Sequence, residues 1–189
     1  MSSHHIIRDE QEPPVLIFQL NDNWEALSEI LGWFPILIIA PSLKETFELK
    51  QTKIDGFLHK DEELAKPNKH DLIYDYSHLH NDLLRWIEER NCTAINIFCD
   101  FNITNNLFNQ FKDRDLSIPI IFFTEKGKYI MKPNSSFKKW YPEGFKMDII
   151  NDDIKRTENL IELENGFQVE KEGFVKVEIE GNLILLKER

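Results

Sequence analysis

A chain of 189 residues with 41% hydrophobic and 12% aromatic content can bury the core of one mid-sized domain or two small ones, which excludes a largely disordered protein. Its 23 Lys and Arg stand against 33 Asp and Glu, a formal net charge of −10 that repels polyphosphate backbones and argues against nucleic acid as a partner. The N-terminus has no apolar leader core, no segment reaches the length of a membrane span, and Cys92 and Cys99 read as reduced packing residues, so the expectation is a cytoplasmic protein with no membrane partner.

In chain order, residues 1–14 read as a polar arm that ends in Glu12-Pro13-Pro14 and leads into a first apolar run, Val15 to Phe18. Asp22 and Glu25 have capping-box spacing at the start of a helix that would bury Trp24, Leu27, Ile30 and Leu31 before Gly32. A second run, Ile36 to Ile39, precedes Ser42 and Glu45, again at capping-box spacing, and a short helix to Leu49. Phe57-Leu58 and Leu72-Ile73-Tyr74 follow. Ser77 then caps a helix whose Leu79, Leu83, Trp86 and Ile87 share one face, and the fifth run is Ala94 to Phe98. Apolar runs alternating with amphipathic helices predict βαβ units and a mostly parallel sheet.

After a shorter helix around Leu107, Phe108 and Phe111, the helical period ends. Ile118 to Phe123 turns at Lys126-Gly127 and pairs with Tyr129 to Met131 as a hairpin. Asn134 to Gly144, with Trp140, Tyr141 and Pro142, reads as a loop over the join between two units. Phe145 to Ile150, Leu160 to Leu163, Val175 to Ile179 and Leu183 to Leu186 read as strands of period two, the last two forming a final hairpin at Gly181-Asn182. The expected fold is therefore α/β: a Rossmann-like, mostly parallel sheet with helices over residues 15–117, followed by a small C-terminal β-sandwich over 118–189.

On the order of these elements, and on the stretches Leu79 to Phe98, Ile120 to Pro133 with Gly144-Phe145-Lys146-Met147, and Phe174 to Lys187, the chain resembles the thiamine pyrophosphokinases. That resemblance implies an α/β nucleotide-binding half joined to a β-sandwich, a homodimer, and a transferase (kinase) reaction in which the pyrophosphate of ATP passes to thiamine with magnesium. The family's chemical motifs depart. Its Asp-Gly-Gly-Ala-like turn falls on Pro41-Ser42-Leu43-Lys44, and its Gly-Asp-Phe-Asp-Ser loop on His59-Lys60-Asp61-Glu62-Glu63. Its Lys-Asp-x-Thr-Asp segment falls on Tyr74-Asp75-Tyr76-Ser77-His78, and its Gly-Gly-Arg-x-Asp-His segment has no match in Cys99 to Asn106.

Carried onto this sequence, the resemblance implies catalytic roles for Asp61 and Asp75, magnesium ligation by Glu62 and Asp75, and cofactor binding by Ser77, His78, Asp100 and Trp140. Pyrophosphoryl transfer needs carboxylates around magnesium and close backbone approach to phosphate, and both are thinned here. Two readings follow. One is a divergent thiamine pyrophosphokinase-like protein whose catalysis is weak or lost while a thiamine-like or nucleotide ligand is still bound, with ATP and Mg if active. The other is a non-catalytic structural or regulatory homodimeric module. From the residues alone, Asp75, His78, His80 and Asp82 are equally a solvated helix start, Asp100 a helix cap, and Trp140 with Tyr141 interdomain packing.

Overall fold

The computed structural model describes residues 12–60, 67–112, 114 and 116–189. Most of the expected N-terminal arm, together with Asp61 and Glu62, therefore lies outside the described residues. The chain divides into two compact units, Met1–Phe98 and Cys99–Arg189.

In the first unit the five apolar runs are five strands: β1 (Val15–Ile17), β2 (Leu37–Ile39), β3 (Gly56–Lys60), β4 (Leu72–Tyr74) and β5 (Ile95–Phe98). They lie in the order β5-β1-β2-β3-β4, and every pairing is parallel. Each residue of β1, β2 and β5 is buried, which is why they read as continuous apolar runs rather than as alternating ones. Asp71 helps set the β3–β4 neighbourhood: its carboxylate accepts from the Phe57 amide at 2.8 Å and from the Asn68 amide at 2.8 Å.

The helices are α1 (Trp24–Leu31), α2 (Lys44–Leu49, after a 3-10 turn at Pro41–Leu43) and α3 (Leu79–Arg90). α3 buries Leu79, Leu83, Trp86 and Ile87, the i, i+4, i+7, i+8 face expected from its sequence, together with His80, and ends on Asn91 in the left-handed conformation (φ 51°). The expected caps are corrected. None of the first three helices has a side-chain cap, and the residues at the cap positions are Asn23, Leu43 and His78. Ser77 instead donates its hydroxyl to Asp75. α1 fully buries only Leu27 of the four residues expected.

The second unit opens with α4 (Phe101–Phe111) and continues as strands β6 (Ile120–Thr124), β7 (Gly127–Pro133), β8 (Ser136–Tyr141), β9 (Lys146–Ile149), β10 (Ile154–Glu158), β11 (Leu160–Leu163), β12 (Gly166–Val169), β13 (Gly173–Ile179) and β14 (Leu183–Glu188). The strands β6-β7-β14-β9-β12-β11 lie side by side in that order, and β10-β13-β8 form a three-stranded sheet; all these pairings are antiparallel. The β6–β7 hairpin is as expected.

Two expectations fail here. Asn134 to Gly144 is not a loop, because β8 runs through it, pairing with β13 so that Trp140 faces Phe174 and Lys138 faces Lys176. Nor do β13 and β14 form a hairpin, since they belong to different sets of strands. Asp153 and Asn151 anchor the passage between them. Asp153 accepts from the Gly181 amide at 2.7 Å, while Asn151 donates to the Leu183 carbonyl at 2.9 Å and accepts from the Leu185 amide at 2.8 Å.

Phe137, Tyr141, Val175, Val177 and Ile179 of the three-stranded sheet bury themselves in one cluster with Ile130, Met147, Val169, Ile184 and Leu186 of the other strands. The alternation of β13, with Val175, Val177 and Ile179 buried and Phe174 exposed, follows directly from the period of two. Both cysteines are free thiols, and burial pushes Cys99 up to about 12.

Candidate ligand site at the carboxyl edge of the parallel strands

In an open parallel sheet ligands bind beyond the carboxyl ends of the strands, because crossovers leave a crevice there. In the first unit that edge carries Phe18 after β1, Pro41 and Ser42 after β2, Lys60 at the end of β3, and Asp75 to His78 after β4. Chain reversal from β4 into α3 is held by Asp75. Its carboxylate accepts from the Ser77 amide at 3.0 Å, the Ser77 hydroxyl at 2.6 Å and His78 Nδ1 at 3.1 Å. Its own amide donates to Asp82 at 3.1 Å, and Asp82 in turn pairs with Arg85 at 2.8 Å.

Those donors have an electrostatic consequence. The Ser77 hydroxyl, then the Ser77 amide, then His78 stabilise the ionised carboxylate and hold Asp75 down at about 2. The structure thus brings Asp75, Ser77 and His78 together, as their spacing suggested. His80, grouped with them in the sequence as a solvated helix start, is instead a buried residue of α3.

Sequence reasoning missed an aromatic series at the same edge. Phe18 and Tyr74 meet edge to face with ring centres 5.2 Å apart, Tyr74 and Tyr76 meet likewise at 5.2 Å, and Lys60 Nζ lies over the Tyr76 ring at 5.2 Å. Tyr76 remains 43% exposed, leaving ring surface available to a planar ligand. The signal was an aromatic residue on either side of Asp75; nothing local pointed to Phe18.

Asp100 and Trp140 belong to the second unit. Asp100 caps α4, accepting from the Ile103 amide at 3.0 Å, and the adjoining Phe101 amide donates to the Glu125 carboxylate at 3.1 Å. Trp140 is 48% exposed on the three-stranded sheet beside Phe174, over whose ring Lys138 Nζ sits at 4.5 Å.

Magnesium would need several carboxylate oxygens free to converge. Both oxygens of Asp75 and one of Asp100 already accept hydrogen bonds. Among the described residues, no group of three His, Cys, Asp or Glu side chains could hold a metal ion. The described residues therefore do not fit a magnesium centre.

The architecture defines a class: an α/β protein whose strands are parallel in the first unit and antiparallel in the second, with a fold matching the thiamine pyrophosphokinases. The thiamine pyrophosphokinase of Bacillus subtilis is similar at TM-score 0.64 and 13% identity, over 94% of this chain and 99% of that chain. The enzyme of Candida albicans follows at TM-score 0.59 and 11% identity, over 93% and 89% of the two chains. That of Geobacillus thermodenitrificans matches at 0.57 and 10%, over 93% and 96%. At such identities the likeness is one of fold. No protein-family model matches the sequence, and no curated protein matches it. Among the described residues no helix is long and apolar enough to cross a membrane.

Proposed function

We propose that this protein is a divergent thiamine pyrophosphokinase-like protein in which pyrophosphate transfer is weak or lost and binding of a thiamine-like or nucleotide ligand is retained. The observation that carries this reading is the state of Asp75, the one carboxylate kept from the family's segment after β4. Its oxygens are engaged by Ser77 and His78, so it acts as the brace of a turn rather than as a free acid or base. The exposed Tyr76 ring beside Lys60 supports ligand binding, since it offers stacking surface and a positive charge to an aromatic, anionic molecule.

In this reading the domains are an arm over 1–14, a Rossmann-like α/β domain over 15–117 and a β-sandwich over 118–189, and the protein is a cytoplasmic homodimer. The wide coverage of the thiamine pyrophosphokinase folds supports that layout. If activity remains, it is the ATP- and magnesium-dependent transfer to thiamine, with Asp61, Glu62 and Asp75 as its carboxylates. The second reading, a binding module without small-molecule chemistry, is favoured by the exposed Trp140–Phe174 pair, which suits a protein partner better than a nucleotide.

Purified protein given ATP, thiamine and magnesium is expected to form little or no thiamine pyrophosphate. Turnover of about 1 per second or faster, ordinary for an enzyme, would overturn the loss of catalysis. Thermal shift separates the two readings, because a ligand at about a hundredfold over its Kd adds about 2.7 kcal/mol of stability. A rise in Tm with thiamine or ATP supports retained binding, and no rise with either favours the module.

A further inference from the structure

Every carboxylate oxygen of the turn from β4 into α3 already has a donor. Asp75 accepts from the Ser77 amide on one oxygen and from the Ser77 hydroxyl and His78 Nδ1 on the other. Asp82 accepts from the Asp75 amide on one oxygen and from Arg85 on the other. A magnesium ion seated here would have to displace those donors from the oxygens it needs. His78 brings a ring nitrogen to the same turn, a poor ligand for a hard cation.

The charge left over at this edge is positive. Lys60 lies opposite Tyr74 in the β3–β4 register, and its ammonium sits 5.2 Å from the centre of the Tyr76 ring. Among the described residues Lys60 has no ion-pair partner, whereas Arg85 is held by Asp82 and Lys44 by Glu48. Contact with the ring holds the ammonium in place, so little conformational freedom is lost when an anion arrives. Tyr76 is itself exposed, so aromatic surface and an uncompensated cation adjoin.

Two properties of the occupant follow. It carries an anionic group that Lys60 meets directly, which disfavours thiamine, whose thiazolium ring is a permanent cation and would be set against the ammonium. It also arrives without magnesium, which would withdraw negative charge from phosphoryl oxygens while finding no open carboxylate in the turn to bridge to. The net charge of −10 favours the less anionic magnesium complex at long range. Beyond a Debye length of about 8 Å in physiological salt that field is screened, so the contact at Lys60 decides.

We propose, resting on the retained ligand binding proposed above, that the carboxyl edge of the parallel strands takes an aromatic anion of the nucleotide class as the free, metal-less species, with Lys60 supplying the positive charge in magnesium's place. Magnesium then binds the free ligand and draws it off the protein, so by linkage it lowers the apparent affinity.

Calorimetric titration of the full chain with ATP and with thiamine, each in EDTA and in excess magnesium, tests it, with Lys60→Met and Lys60→Arg as variants. ATP is expected to bind in EDTA at least as tightly as in magnesium, and about tenfold or more tighter than thiamine. Lys60→Met keeps the apolar stem and removes the charge, so it should weaken ATP by about fivefold or more at unchanged Tm, while Lys60→Arg retains most of the affinity. ATP binding that magnesium strengthens, or thiamine binding without ATP binding, overturns this inference and leaves retained ligand binding standing. ATP binding indifferent to Lys60→Met does the same. Binding of neither ligand in either buffer overturns both.

Discussion

The Tyr141 hydroxyl donates to the Glu188 carboxylate at 2.6 Å, tying β8 of the three-stranded sheet to β14 of the other strands. Lys139 reaches the same carboxylate at 2.5 Å and Lys128 at 2.8 Å. Burial alone would raise Glu188, but hydrogen bonds from Lys128, Lys139 and Tyr141 outweigh it and hold the group at about 2, below its ordinary 4.5. A depressed carboxylate stabilises the fold above its unfolded value and loses that contribution as pH falls through the folded one. Glu188→Gln is expected to cost on the order of 2–3 kcal/mol near neutral pH. Urea unfolding at pH 6 and at pH 3 should show the wild type losing more stability than the variant between the two. Equal losses would remove Glu188 as the cause.

Asp75 provides a second titration, this one at the surface. Carboxyl NMR shifts should place its midpoint at about 2, and Ser77→Ala should move it up toward the ordinary 3.8 by removing the leading donor. A wild-type midpoint already at the ordinary value would mean that the turn does not hold its hydrogen bonds in solution.

Gly56 tests the packing of β3 on the chain before β4. A β-carbon there would lie 2.9 Å from the His70 carbonyl carbon and 3.1 Å from the Asp71 amide nitrogen, and backbone cannot swing aside as a side chain can. Gly56→Ala is expected to destabilise by about 1–3 kcal/mol and to lower Tm. An unchanged melt would show that this stretch yields easily.

The homodimer reading makes its own prediction for the second unit. Trp140 and Phe174 are cross-strand partners, both exposed. If they anchor an interface, Trp140→Ala should weaken the dimer by about 2 kcal/mol or more. Sedimentation at micromolar concentration decides: a monomer, or a dimer indifferent to the substitution, removes Trp140 from any interface.

The parts of the fold that were legible in sequence are those whose burial is one-dimensional. Val15–Ile17, Leu37–Ile39 and Ile95–Phe98 are buried at every residue, so the run itself announces the strand. α3 was equally plain because one helical face carries its core contacts. β8 was not, since exposed Trp140 next to buried Tyr141 looks like an aromatic loop until β13 supplies the register. The polar Ile154-Lys155-Arg156-Thr157-Glu158 becomes β10 only as the outer neighbour of β13. Local spacing also favoured a β13–β14 hairpin, whereas Asn151 and Asp153, distant in sequence, hold the two strands apart in different sets. At the candidate site the same divide recurs. Asp75, Ser77 and His78 are sequence neighbours and could be read together, while the Phe18–Tyr74–Tyr76 series joins two elements and could not.

β14 lies between β7 and β9, yet in the chain it follows both and everything from β10 to β13 as well. During synthesis at about 5–20 residues per second, β7 and β9 must wait with bare ladder edges until the stretch Leu183–Glu188 leaves the ribosome. The second unit therefore closes from its middle and closes late. Over that interval the nascent chain is open to wrong strand pairing, and a chaperone that shields unpaired edges would matter more to its yield than to its final stability.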